Sequence, residues 1–208
     1  MNNKLHLGSG GNILTGWSNL DMSITTDSHD AKTNTSLRHW LAPLLNEKDD
    51  TADYVYNEHF IEHLDECEGF KLLQESHRVL KKGATLRICT PSLDKYVASF
   101  LQDDFEDHTL FRNGTQFLNY AIYGEGWTNG DQVEYLKILS VDGLDRFRSA
   151  NHSHRYIYSE KDLKEKLAFI GFSNIVTVSW GLSRYPDLRG LEHHQNGTLL
   201  ELLVEATK

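Results

Sequence analysis

The chain has 208 residues, of which 39% are hydrophobic and 25% charged, with a formal net charge of −9. That length accommodates one domain with a sizeable core, or one domain carrying an insertion. The acidic balance argues against nucleic acid as a partner, because phosphate neutralisation needs a basic surface; no apolar run reaches the roughly 18 residues of a membrane span.

The opening Met1-Asn2-Asn3-Lys4 leads straight into an apolar segment without the core of a signal peptide, so a cytoplasmic location is expected. Lys4–Leu7 is predicted to be a strand ending on glycines, and Ser18–Met22 a second strand. A third short strand is expected near His29–Lys32. Ser36–Leu45 is predicted to be a helix, stopped by Pro43 and the turn at Asn46–Asp50. Ala52–Tyr56 is β-rich and followed by a polar break.

Asp65 with Glu68 three residues later forms the start of a capping box. Leu72, Leu73, Ser76, Val79 and Leu80 supply the helical stripe, and Lys81-Lys82-Gly83 its cationic, glycine-marked end. Ala84–Thr90 reads as a strand closed by Pro91. Its Cys89 reads as a small buried hydrophobe; Cys67 and Cys89 form no C-x-x-C pair. Farther on, Ser159 and Asp162 open a helix carrying Leu163, Leu167 and Ile170, which Gly171 ends. Strands are expected at Ile175–Trp180 and Leu199–Ala206.

Strands separated by helices imply a mostly parallel sheet covered on both faces. Residues 96–158 break that rhythm. This stretch, rich in aromatics and glycines such as Tyr120, Tyr123, Gly124 and Trp127, reads as a helical insertion within a single domain spanning 1–208. Insertions at the carboxyl edge of such sheets cover the binding crevice. The N-x-[ST] triplets at Asn34, Asn113, Asn151 and Asn196 read as chance.

Gly8-Ser9-Gly10-Gly11 stands where the backbone must turn tightly off the first strand and approach a ligand. Asp21, ending the second strand, can accept hydrogen bonds from two adjacent ribose hydroxyls. A dinucleotide fits less well: Ile13 replaces the third glycine of G-x-G-x-x-G, and the acid follows Gly8 by thirteen residues rather than about twenty. That spacing leaves little room for a helix to hold a pyrophosphate.

With Lys4–Gly11, Gly16–Asp21, Ala52–Leu64, Arg78–Pro91, His154–Phe172 and the closing strand taken together, the sequence resembles class I S-adenosylmethionine (SAM)-dependent methyltransferases. The similarity is to the type-11-like group of small bacterial enzymes, over about two thirds of the chain. It implies an α/β, Rossmann-like, doubly wound and mostly parallel seven-stranded sheet whose last strand is antiparallel, with the helical insertion before the C-terminal strands. It also implies SAM as cofactor. Gly8, Ser9 and Gly10 would face the methionine moiety, Asp21 the ribose and Met22 the adenine, with Asn34 at the adenine edge. Asn57, Glu58 and His59 would border the sulfonium and the acceptor.

His59-Phe60-Ile61-Glu62-His63 also matches H-x-x-E-H, the inverted zinc-protease signature. On a helix His59 and His63 would lie one turn apart and could share a zinc ion; the methyltransferase reading calls for no metal. In that reading His59, His152 and His154 are the candidate bases, since histidine titrates near neutrality. Arg155 could pair with an anionic acceptor or with a surface acid. The acceptor expected is an oxygen or nitrogen on a small molecule or glycan intermediate; a homodimer stays open. A SAM-binding protein without catalysis and a zinc hydrolase are the alternatives.

Overall fold

The computed structural model describes residues 2–102, 154–193 and 200–208. The strands are β1 (Lys4–Leu7), β2 (Ser18–Asp21), β3 (Ser28–Asp30), β4 (Thr35–His39), β5 (Ala52–Glu58), β6 (Leu80–Pro91), β7 (Ser173–Thr177) and β8 (Glu201–Thr207). Helices α1 (Glu66–Val79), α2 (Leu93–Gln102) and α3 (Glu160–Ile170) join them, with one-turn 3-10 helices at Ile61–His63 and Pro186–Leu188.

All eight strands form one sheet in the order β3-β4-β2-β1-β5-β6-β8-β7. The run from β4 to β6 is parallel, while β8 is antiparallel to both its neighbours, as expected for the last strand. Among the described residues the sheet has eight strands rather than seven because the short β3 adds an antiparallel edge to β4.

Alternation along the strands assigns the two faces. Leu5, Leu7, Leu20, Val55, Leu86, Ile88, Leu202 and Val204 are buried together with Leu72, Leu73 and Val79 of α1 and Leu163 and Leu167 of α3. Both helices start as their sequences prescribe. Asp65 accepts from Glu68 N–H (2.9 Å) and Glu68 from Asp65 N–H (3.2 Å); Ser159 accepts from Asp162 N–H (3.1 Å). Gly171 ends α3 in the left-handed region at φ 114°.

The opposite face is polar and aromatic. His6, Asn19, Tyr56, Arg87 and Glu205 are buried there, under Leu14 and Trp17 from the β1–β2 connection and Tyr185, Leu188 and Leu191 from the segment before β8. Arg87 Nε–H donates to Glu192 (2.7 Å), and its Nη1 donates to Glu205 (2.6 Å) and to Leu182 O (3.0 Å). A fully buried guanidinium thus fastens residues 182–192 to the sheet.

The helix expected at Ser36–Leu45 is instead strand β4 and a following loop. Leu37, Leu41 and Leu44 mimic a helical stripe, yet Leu41 and Leu44 are exposed. The free edge of β2 takes up this backbone, from Ser18 against Ser36 to Asp21 against His39, because unpaired strand N–H and C=O groups are costly. Strand β6 begins at Leu80, directly at the end of α1, and β7 lies slightly before its expected span. No helix among the described residues is long and apolar enough to cross a membrane. The insertion's ends fall in α2 and at Tyr158; 103–153, with the aromatic run Tyr120–Trp127, lie outside the described residues.

Candidate functional site

The chain leaves β1 toward β2 on one side, while β5 flanks β1 on the other. A crevice opens at such a reversal of strand order, outside the carboxyl ends. Gly8, Ser9 and Gly10 leave β1 at this edge, Asp21 ends β2, and Asn57, Glu58 and His59 end β5.

Gly8 and Gly10 have φ of 67° and 49°, a region in which a side chain is strained. The N–H groups of Gly8 and Ser9 both donate to Leu20 O, at 2.8 and 3.2 Å. A Cβ on Gly8 would lie 2.1 Å from Cδ2 of Phe60, whereas one on Gly10 or Gly11 would meet nothing within 4 Å. The turn is therefore packed on one flank and open on the other.

Asp21 is tied into the turn. Its Oδ2 accepts from Gly10 N–H (2.9 Å), and its Oδ1 accepts from the N–H (2.8 Å) and hydroxyl (2.6 Å) of Ser23. Burial works against its charge, but these hydrogen bonds outweigh burial and hold the carboxyl below the usual range. An ionised carboxylate has about four acceptor positions, so one is free and the exposed Ser23 hydroxyl occupies another. Met22 beside it is 54% exposed.

Two buried polar groups at this edge lack a hydrogen-bond partner among the described residues: the Ser9 hydroxyl and both amide atoms of Asn57. Buried polar groups are nearly always paired, so these two call for a polar ligand or ordered water. Glu58 is buried and bridges two segments, accepting from His193 N–H (2.8 Å) and from Asn12 Nδ2 (3.3 Å).

His59 departs from the expectation of a base. Its Nδ1–H donates to Glu62 Oε1 (3.1 Å) and its Nε2–H to Glu201 Oε1 (2.9 Å). Burial alone would lower its pKa, but the two carboxylates raise it to about 10. Glu62, fully buried, is correspondingly pulled down to about 2 by His59 against the effect of burial. With both ring nitrogens carrying a proton, His59 has no lone pair to accept another.

The H-x-x-E-H arrangement is not realised. His59 sits at φ 47° ahead of a single 3-10 turn, so His59 and His63 do not share a helix face. They join separate groups: His59 with Cys89 and Glu201, and His63 with Glu62 and His154. The rings of His63 and His154 meet edge to face at 5.1 Å. This second group is set by Glu62 O, which accepts the N–H groups of Arg155 (2.7 Å) and Tyr156 (3.2 Å). Arg155 itself pairs with Glu68 at 3.7 Å, a surface acid. His152 lies outside the described residues.

Asn34 is misplaced for an adenine contact. It precedes β4 at the amino edge, where with Asn2, Lys4, Gly16 and Ser36 it lines a cavity of about 250 Å³. Asn34 is about 16 Å along the strand from the level of Asp21, at ~3.3 Å per residue. The residue that stands level with Asp21 is His39. Reading 36–45 as a helix hid this, since register exists only between strands. Phe60 and Glu201 were also missed; both act through long-range packing that no local motif signals.

No family model matches the chain, and no curated protein matches it. Solved structures do. A SAM-dependent methyltransferase of Thermotoga maritima superposes with a TM-score of 0.52 at 15% identity, covering 100% of this chain and 83% of that one. One from Methanosarcina mazei gives 0.51 at 14% identity, covering 99% and 92%. The Haloferax volcanii protein solved in complex with the Trm112 methyltransferase activator gives 0.52 at 15% identity, covering 99% and 82%. At these identities the likeness shows the fold: the chain has the Rossmann-like fold of class I SAM-dependent methyltransferases.

Proposed function

We propose, from the fold that this chain shares with SAM-dependent methyltransferases, that it binds SAM and transfers its methyl group to an oxygen or nitrogen on a small molecule or glycan intermediate. One observation carries the reading: an ionised Asp21, aimed by Gly10 and Ser23, stands beside a turn free of side chains at the reversal of strand order. Asp21 would hold the ribose hydroxyls, with Ser23 Oγ giving way to one of them. Ser9 and Asn57 offer unpaired buried polar groups to the methionine end. Exposed Met22 offers an apolar edge to adenine. When bound, SAM supplies an electrophilic methyl group on a positively charged sulfur.

The chain's own task is then to align the acceptor and accept its proton. His59 is engaged at both nitrogens, so the proposed base is His154, brought to the carboxyl edge beside His63 by the Arg155 and Tyr156 bonds to Glu62. The same engagement of His59 favours a second reading, a SAM-binding protein without turnover.

Calorimetry with S-adenosylhomocysteine tests the proposal. Hydrogen bonds to a charged group contribute about 1.5–3 kcal/mol each, so Asp21→Ala should weaken binding roughly 10- to 150-fold with an unchanged circular dichroism spectrum. No uptake at millimolar ligand, or equal affinity in the variant, defeats the reading. Release of S-adenosylhomocysteine from SAM across an acceptor panel separates an enzyme from a binder.

A further inference from the structure

We infer that His59 Nε2, Cys89 Sγ and a carboxylate oxygen of Glu201 form a site for one divalent transition-metal ion of the zinc type. The three donors come from three places in the sheet: the exit of β5, the carboxyl half of β6 and the first residue of β8. Their ligating atoms all lie within 4.8 Å of one another. Glu201 stands between the other two, with Oε1 2.9 Å from His59 Nε2 and Oε2 3.1 Å from Cys89 Sγ. A tetrahedral zinc ion with bonds of about 2.0–2.3 Å separates its ligand atoms by ~3.3–3.8 Å. The two glutamate contacts have to open by roughly half an ångström, within reach of a glutamate rotation.

The surroundings fit an ion as well as the donors do. A mixed nitrogen, sulfur and oxygen set suits zinc or cobalt over magnesium or calcium. A metal-binding histidine is usually aimed by a carboxylate on its other nitrogen. Glu62 does this at His59 Nδ1 (3.1 Å) and is itself held by the Thr90 hydroxyl (3.0 Å). Without an ion, the protons on Nε2 and Sγ both point at Glu201. Binding would expel one proton from each, so His59 becomes a neutral ligand and Cys89 a thiolate. Cys89 and Glu201 are buried, but the His59 side chain is 22% exposed, so an ion would enter from that side, and three protein ligands leave a tetrahedral ion its fourth position.

The site does not depend on the methyl-transfer reading; only its role does. Under that reading, an acceptor hydroxyl in the fourth position would lose its proton more readily through the metal. The proton would still pass to His154, the proposed base, with the metal lowering the cost of its release.

The test uses the full chain carrying Cys67→Ser, which removes the exposed second thiol, stripped with chelator and titrated with Co²⁺. One equivalent should bind and produce a thiolate-to-cobalt charge-transfer band together with intense tetrahedral visible bands. About two protons per ion should appear in weakly buffered solution. Cys89→Ser should abolish the charge-transfer band and weaken binding about tenfold or more, whereas His63→Gln and His154→Gln should leave both intact. Absence of the band in the folded parent, or its survival in Cys89→Ser, overturns the site. So does loss of binding only in the His63 and His154 variants, which would move the ion to the neighbouring group. The parent's proton count does not depend on any variant folding, and a count near zero also overturns it. S-adenosylhomocysteine calorimetry on the same samples keeps the two ideas apart: ligand uptake without a cobalt band removes only the metal, and a band without uptake removes only the methyl donor.

Discussion

Replacing Gly8 with alanine tests how the turn off β1 is built. At φ 67° an L-residue carries a penalty of about 1–2 kcal/mol. The new methyl would also sit 2.1, 2.2 and 2.7 Å from Cδ2, Cγ and Cβ of Phe60. These atoms lie at the root of the side chain, and the ring is backed by Trp40 with centroids 5.4 Å apart, so it cannot simply swing aside. Overpacking of this kind costs about 1–3 kcal/mol. The sum, ~2–5 kcal/mol, is a large part of the 5–15 kcal/mol that typically holds a domain together. Urea unfolding followed by circular dichroism and tryptophan fluorescence would measure it. A double-mutant cycle sharpens the test, because Phe60→Ala removes the two shortest contacts and leaves only the Cβ pair. The penalty of Gly8→Ala should shrink by about 1–2 kcal/mol in that background. An identical penalty with and without the ring, or a total below about 1 kcal/mol, would refute the packing described.

Two further outcomes follow from the polar face of the sheet. Burial holds His6 below its ordinary pKa of 6.5 despite the hydrogen bond to Asn19. The unfolded chain therefore takes up a proton that the folded one refuses, so this contribution is whole above pH 6.5 and declines as pH falls toward the depressed folded value. The unfolding midpoint should drop on going from about pH 7 to about pH 5, and His6→Gln should flatten that slope; an unchanged slope counts against a neutral buried His6. Arg87→Met strands Glu192 and Glu205 without their cation and should cost about 3–5 kcal/mol in urea unfolding. A loss under about 1 kcal/mol would mean that the carboxylates find other partners.

Local chemistry made part of this fold legible. The capping box at Asp65 and Glu68 and the glycine after Ile170 mark the ends of α1 and α3, and both depend only on near neighbours. Gly8 and Asp21 were readable for the same reason, since a turn after an apolar strand and an acid ending the next strand are short-range signals. Thr35–His39 was not. Its leucine spacing is helical, and only the unpaired edge of β2 makes it a strand. Asn34, expected at the adenine edge from the resemblance alone, precedes this strand at the end of the sheet opposite Asp21. His59 was correctly placed at the exit of β5, but its charge depends on Glu201, 142 residues away in sequence. Cys89 is buried, as its apolar setting suggests, yet its thiol donates to the same glutamate.

Glu58 has a consequence for how anything enters or leaves this crevice. One oxygen is pinned by the Asn12 side chain, next to the glycine turn, and the other by the backbone of His193, at the end of the stretch that Arg87 anchors through Glu192. Two portions of chain nearly the whole sequence apart thus share one latch. Swinging either outward from its present position breaks a bond on that carboxylate, so movement past the turn at Gly8 and movement of the stretch over the sheet's far side both draw on the one Glu58 side chain.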